Sequence, residues 1–339
     1  MKKFYAVIGN PPYQIEQNGR MLPIYDSFMS ESYKVGENVE LITPARFLFN
    51  AGQTKKEWNQ KMLSDEHLKV LHYESDSSKC FSNVDIKGGV AITLRSSNKK
   101  LGPIGTFVSF DEMNEVISKV REKDFISFET IVYTSTRYAL SNIYSDHPEY
   151  KVFVKHDGKD SQIDTNAFEK MPIFEEEKDS SGDVYIRVYG RANNSRTYRW
   201  VKQKYLSDPG NLYKYKVFVS GVNGSGEFGI ALSSPEIGIP GVGSTQSFLA
   251  MGAFDTEKEA ESLLKYMKSK FFRALLCTLK ITHHNPPPTW ANIPLQDFTD
   301  SSDINWSHSI PNIDKQLYTK YGLSKEEVDF IESHVKEMT

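Results

Sequence analysis

Residues 4–8, Phe-Tyr-Ala-Val-Ile, form a short apolar run rich in β formers that ends in Gly9-Asn10-Pro11-Pro12. Such a run predicts a buried strand. Two successive prolines then forbid its continuation, because each fixes φ and neither carries an N–H for a ladder. The chain is thus committed to a strand that stops abruptly and passes into a stiff loop. Whatever that loop presents is held at the strand's carboxyl end, where open α/β sheets take up ligands.

Ile24, Tyr25, Phe28 and Met29 recur at helical spacing and predict a helix over roughly 22–34. Residues 39–43 read as a second strand, stopped by Pro44, with a helix over 55–63, strands over 67–73 and 89–94, and a helix over 111–123. Strands alternating with helices predict a parallel α/β sheet. After about Asp124 the texture changes to short strands, at 185–189, 216–220 and 228–232, with turn signals such as Asn223-Gly224-Ser225-Gly226. Thr256-Glu257-Lys258-Glu259 has capping-box spacing and opens a helix, with Leu263, Leu264, Met267, Phe271 and Leu275 continuing its apolar stripe. Pro286-Pro287-Pro288 reads as a stiff extended linker or loop. A second capping box, Ser324 to Glu327, opens a terminal helix with Val328, Ile331 and Val335 on one face. The predicted division is an α/β piece over 1–123, an irregular mixed α+β domain over 124–301 and a C-terminal helical tail over 302–339.

No run of eighteen apolar residues occurs, so no membrane-spanning helix is expected. Cys80 and Cys277 lie far apart without metal-ligand spacing, which predicts a reducing, cytoplasmic setting and no metal site. His283-His284 has no cysteine or acid at ligand spacing and reads as surface. Neither a P-loop nor a two-acid-and-lysine nuclease pattern stands out, so neither ATP hydrolysis nor DNA cleavage is predicted. The net charge of −3 disfavours a generic polyanion binder, but a sequence-specific one needs only a local basic face. From 187 to 205 the cations Arg187, Arg191, Arg196, Arg199, Lys202 and Lys204 interleave with Tyr189, Tyr198 and Trp200, with no acid among them. This stretch reads either as a DNA-binding face or as a solvated charged surface.

The chemistry of Asn10-Pro11-Pro12-Tyr13 suits an exocyclic adenine amine, a poor nucleophile because its lone pair is delocalised into the ring. Two fixed acceptors, the Asn10 side-chain oxygen and the Pro11 carbonyl, would bind the amine hydrogens and return electron density to nitrogen. Pro12 has no N–H to compete for them, and Tyr13 offers a flat face worth about 1–3 kcal/mol of stacking in comparable nucleic-acid sites.

At this point the sequence resembles a family. Val7-Ile8-Gly9-Asn10-Pro11-Pro12-Tyr13-Gln14 is similar to the catalytic motif of the gamma-class N6-adenine DNA methyltransferases, in the flavour of type IIG restriction–modification enzymes. The segments 41–48 and 80–92 continue the resemblance, and in the second Phe81 matches the aromatic that packs against the flipped-out adenine. Phe271-Phe272-Arg273-Ala274-Leu275-Leu276, Lys280 and residues 290–295 resemble the end of a target-recognition domain, as does the tail around Tyr318. The resemblance implies a partial Rossmann-like methyltransferase sheet followed by a mixed α+β recognition domain. It implies double-stranded DNA as substrate and S-adenosylmethionine as methyl donor, with Lys280 joining the basic stretch as a DNA contact.

In that family the cofactor-holding Gly-rich turn precedes the catalytic motif, and here only nine residues precede Asn10. Of the downstream glycine stretches that could form a permuted cofactor loop, 221–229 reads as a hairpin turn and Gly241-Val242-Gly243-Ser244 has no strand-to-helix context. The expectation is that a separate polypeptide supplies the cofactor half, or that this chain is a fragment, with one edge of the 4–8 strand left open. The alternatives are a DNA-recognition subunit without catalysis of its own, or a methyltransferase acting on RNA or protein glutamine.

Overall fold

The structure is a computed structural model that describes residues 4–17, 19–82, 86–105, 107–108, 110–154, 161–222, 228–229, 232–280 and 284–338. The chain is mixed α/β with several sheets and divides into two compact units, Met1–Asp111 and Glu112–Thr339.

In the first unit, β1 (Phe4–Gly9) is followed by a small antiparallel hairpin of β2 (Gln14–Gln17) and β3 (Arg20–Pro23). Then come α1 (Tyr25–Val35), β4 (Gly36–Pro44), a 3₁₀ turn (Ala45–Phe49), α2 (Lys56–Ser64), β5 (Leu68–Glu74) and β6 (Val90–Ser96). The sheet order is β1-β4-β6-β5. β1 and β4 are parallel, with Gly9 opposite Leu41, whereas β6 is antiparallel to both β4 and β5.

The expected all-parallel sheet is therefore corrected to a mixed one. A parallel pair needs a long crossover, usually a helix. Between β5 and β6 the described residues hold only the single 3₁₀ turn Ser77–Lys79, so β6 returns antiparallel. One consequence matters for function. β1, β4 and β5 all run the same way, so their carboxyl ends share one edge with the start of β6.

The expectation of a buried first strand also fails. β1 is outermost and pairs on one side only, leaving Phe4, Tyr5 and Ile8 at 56%, 79% and 76% exposure. The unit's core lies under β4 and β6, where Val39, Leu41, Val90 and Ala91 are buried, as are Met29, Phe47 and Met62. Tyr25, Phe47 and Trp58 pack edge-on in one aromatic cluster. The predicted helix over 22–34 starts later, at Tyr25, because residues 20–23 are taken by the hairpin.

In the second unit the strands Tyr185–Ala192 and Ser195–Lys202 form an antiparallel hairpin through Asn193 and Asn194, both at positive φ. Asparagine tolerates that left-handed conformation better than most residues. Val242–Ser244 joins the hairpin in parallel and is buried, so its two glycines serve a strand. A second sheet places Tyr215–Ser220 between Glu236–Gly238 and Phe248–Phe254, all antiparallel. Of the strand expected over 228–232, Phe228 and Gly229 lie in a turn, while 230–231 and the 223–226 turn fall outside the described residues.

The capping box at Thr256 forms as expected, but the stripe from Leu263 to Leu275 is two helices, Glu257–Lys268 and Lys270–Leu279. Ser269 breaks them. Its backbone is extended at ψ 151°, and its hydroxyl accepts the Phe272 N–H as the cap of the second helix. The Asp314 carboxylate takes the next free donors, the N–H groups of Lys270 and Phe271, at 3.0 and 2.9 Å. Of the two readings of the proline triplet, the loop holds rather than the extended linker: Pro287–Trp290 is a 3₁₀ turn that sends Trp290 into the core against Phe128 and Phe272. The second capping box also forms, and Ile331 and Val335 are buried on the helix it opens. Ile310–Tyr321 and Lys325–His334 are integral to this unit. Tyr321 stacks on Phe271 at 5.2 Å, and Lys119 bridges Glu327 at 2.7 Å.

Candidate functional site

Four segments meet at the shared strand edge of the first unit: residues 10–13 after β1, Pro44 to Arg46 after β4, Ser77 to Phe81 after β5, and Lys87 to Gly89 before β6. Asn10 and Pro12 are exposed there, and Pro11 and Tyr13 are half-buried. The Tyr13 carbonyl accepts the Ile24 N–H at 3.1 Å, so the β2–β3 hairpin closes on the residue that ends the motif.

Phe81, 68 positions away, is brought to Tyr13, with ring centroids 6.4 Å apart and planes at 72°. Burial pushes the Tyr13 phenol up to about 12, the Cys80 thiol adding to the rise and the Asn10 side chain offsetting part of it. The Tyr13 hydroxyl is buried, with the Asn10 side chain as a polar neighbour. A tyrosine that stays protonated beside a second aromatic keeps a neutral flat ring for a planar ligand.

Phe81 owes its position to Ser77, which the sequence reading passed over. The Ser77 carbonyl accepts the N–H groups of Cys80 and Phe81 at 3.1 and 2.8 Å, and its buried hydroxyl accepts that of Ile86 at 2.8 Å. Asp76 starts this turn by accepting from Ser78 N–H at 3.1 Å. The Asp-Ser-Ser triplet is a turn signal that could have been read. Residues 83–85 of the Phe81 segment lie outside the described residues. Beside Tyr13 opens a cavity of about 210 Å³, whose wall includes Gln14, Tyr25, Arg46, Gln53 and Lys87.

The basic stretch takes a definite shape in the second unit. The hairpin register sets Arg187 opposite Trp200, Tyr189 opposite Tyr198 and Arg191 opposite Arg196, so all six share one face. The other face carries Ile186, Val188 and Val201 into the core. The Arg187 guanidinium lies 4.9 Å from the Tyr198 ring and 5.7 Å from Trp200. Arg191 donates to the Asn194 carbonyl at 3.1 Å and lies 5.9 Å from the Phe248 ring.

The sequence contains no acid within this stretch, but the fold brings acids to it. Arg196 pairs with Glu236, Arg199 with Glu176 at 2.7 Å, Lys202 with Asp183 at 2.6 Å and Asp179 at 3.1 Å, and Lys204 with Asp146 at 2.7 Å. Four of the six cations are thus already neutralised. Lys280 is buried rather than on the surface, and burial pushes its ammonium down to about 8. Cys80 is exposed, while Cys277 accepts the Gly229 N–H at 3.2 Å and burial raises its thiol to about 11. His283 is outside the described residues, and no cluster of three metal-ligating side chains occurs among those described. No helix among them is long and apolar enough to cross a membrane.

A site of this kind, an aromatic-walled loop at the carboxyl edge of an α/β sheet, defines a ligand-binding strand edge in general terms. The comparisons make it narrower. Residues 1–81, which include both Asn10-Pro11-Pro12-Tyr13 and Phe81, match the Eco57I restriction-modification methylase family. The chain is also 26% identical over 102 residues to a Mycoplasma pneumoniae protein described as an uncharacterized adenine-specific methylase, a match covering 28% of this chain and 24% of that relative.

Proposed function

We propose that this chain is the adenine-binding and target-recognising part of a restriction–modification DNA methyltransferase that modifies adenine at N6. The observation that carries the reading is the pairing of Tyr13 with Phe81 beside Asn10, at the carboxyl edge of the sheet. A target adenine flipped out of the duplex stacks on an aromatic face of this pair, where its amine meets the Asn10 side-chain oxygen and the Pro11 carbonyl. Both acceptors are oriented before reaction, so positive charge developing on the amine nitrogen is met without reorganisation. S-adenosylmethionine supplies the methyl group, and transfer is direct, without a covalent enzyme intermediate.

The cofactor does not fit this chain alone. No strand among the described residues turns through a glycine-rich loop into a helix, so no step is routed through such a cradle here. The open edge of β1, with Phe4, Tyr5 and Ile8 exposed, suits pairing with a further strand of a Rossmann-like sheet, supplied by a separate cofactor-holding polypeptide or by the rest of a longer chain. Within residues 124–301, the face bearing Arg187, Arg191, Tyr198 and Trp200 is the proposed DNA contact, since its two arginines have no carboxylate partner among the described residues.

The test is transfer of labelled methyl groups from S-adenosylmethionine to adenine-unmethylated genomic DNA, by the chain alone and with its candidate partner. Asn10→Ala is expected to lower the rate of the active form by about 10²–10³-fold while leaving DNA affinity nearly unchanged. Transfer by the unaccompanied chain would refute the split cofactor site. A fully active Asn10→Ala variant would refute the adenine site.

A further inference from the structure

Resting on that reading, we propose that the cavity beside Tyr13 is a phosphate subsite in which Arg46 grips the phosphate attached to the flipped deoxyadenosine. Arg46 leaves the carboxyl end of β4, the strand paired with β1, so it emerges next to the loop that carries Asn10. Its aliphatic stem is wedged between two glycines at positive φ, Gly52 at 92° and Gly88 at 88°. A Cβ on Gly88 would stand 2.8 Å from Arg46 Cγ, and one on Gly52 would stand 3.2 Å from Arg46 Cβ. Only glycine satisfies both demands, the left-handed backbone and the close approach.

The head of the side chain is fixed as well. Arg46 Nε donates to the Lys87 carbonyl, which leaves the two terminal guanidinium nitrogens as its remaining donors. No carboxylate pairs with Arg46 among the described residues, in contrast to Arg196 and Arg199 of the second unit. The cavity wall adds the Lys87 side chain and the amides of Gln14 and Gln53, and none of the described lining residues is acidic.

A guanidinium immobilised at its stem and at Nε has lost its rotamer freedom before any ligand arrives, so little is lost on binding. Its fork matches two oxygens of a phosphate, which a point charge such as lysine does not. Tyr13 lines the same cavity that Arg46 lines, so one residue is common to the base site and the phosphate site. A nucleotide is the chemical class that has a flat base and an anion within reach of both.

The experiment measures binding of deoxyadenosine, its 5′- and 3′-monophosphates and inorganic phosphate to the full chain by ligand-observed NMR. One of the monophosphates is expected to bind about tenfold more tightly than the nucleoside. Arg46→Gln should erase that advantage and leave nucleoside affinity unchanged, and Arg46→Lys should restore only part of it. Gly88→Ala, which displaces the stem without altering a charge, should reproduce the loss, with melting curves showing that each variant is folded.

Equal affinity of nucleoside and both monophosphates would overturn the phosphate subsite and leave the adenine site standing. So would an advantage that survives Arg46→Gln. Inorganic phosphate binding as tightly as the nucleotide would overturn the nucleotide assignment in favour of a free-anion site. If neither nucleoside nor nucleotide binds, the adenine-site reading itself fails, and this proposal with it.

Discussion

The first unit leaves its outermost strand paired on one side only, whereas the second gives four of the six cations of its basic stretch a carboxylate partner. Phe4, Tyr5 and Ile8 of β1 face outward, and Arg46 offers a charged fork with no carboxylate partner. In the second unit Lys216 is 1% exposed, yet its ammonium donates to the carbonyls of Asn211, Leu212 and Val242 at 2.5, 3.0 and 2.9 Å. Four cations of its basic hairpin carry carboxylates. The difference teaches where to look for function. Groups without partners are costly unless something arrives to meet them, so they mark contact surfaces better than charge density does.

The largest effect should separate the two regions outright. Trp290 is fully buried against Phe128 and Phe272, so Trp290→Ala should cost about 3–5 kcal/mol through the cavity it leaves. Of the four tryptophans only Trp58 belongs to the first unit, so its emission reports that unit when Trp200 and Trp306 are replaced by Phe and position 290 carries either Phe or Ala. Denaturation of Trp290→Ala should shift the transition of the second unit and leave the Trp58 transition in place. A common shift of both would mean that the two regions unfold as one body.

A middle-sized effect concerns the buried lysine. Burial pushes Lys216 down to about 8, with Asp208 opposing, while an unfolded lysine titrates near ~10.4. Between those values the unfolded chain binds more protons than the folded one, so this group makes stability rise with pH there, and the contribution is lost as pH falls through about 8. Urea titrations across that window should show a steeper rise for the wild type than for Lys216→Met. Parallel slopes would mean the ammonium is not desolvated as its surroundings indicate.

The smallest effect tests the proposed DNA face. Replacing Arg187 and Arg191 by Gln should lower the salt dependence of DNA binding by up to ~0.9 in log–log slope per lost phosphate contact. The same change at Arg196 and Arg199, which already have Glu236 and Glu176, should move the slope less. The reverse order would place the DNA on the ion-paired residues instead.

Much of the first unit was legible in the sequence because its elements are short and punctuated. Pro44 ends β4, and the Asn10 loop follows β1 as the prolines require. The hairpin of β2 and β3 was not legible, since Gln14-Ile15-Glu16-Gln17 is exposed throughout and carries no core pattern. Strand direction was not legible either: hydrophobic patterning reads the same in both directions, and only the missing crossover helix before β6 reveals the reversal. In the second unit the helix break at Ser269 was hidden because the apolar stripe runs through it in phase. Asn10 and Tyr13 could be nominated from their chemistry, and Phe81 from the resemblance alone. Ser77 and Arg46 could not, because their roles come from backbone geometry: a carbonyl that gathers two N–H groups, and glycines that clasp an aliphatic stem.

The exposed flank of β1 also has a colloidal consequence. An unpaired strand carrying Phe4, Tyr5 and Ile8 is a template for copies of itself, so the chain handled alone should be prone to self-association as its concentration rises. Loss of soluble material during purification would then report the unpaired edge of β1.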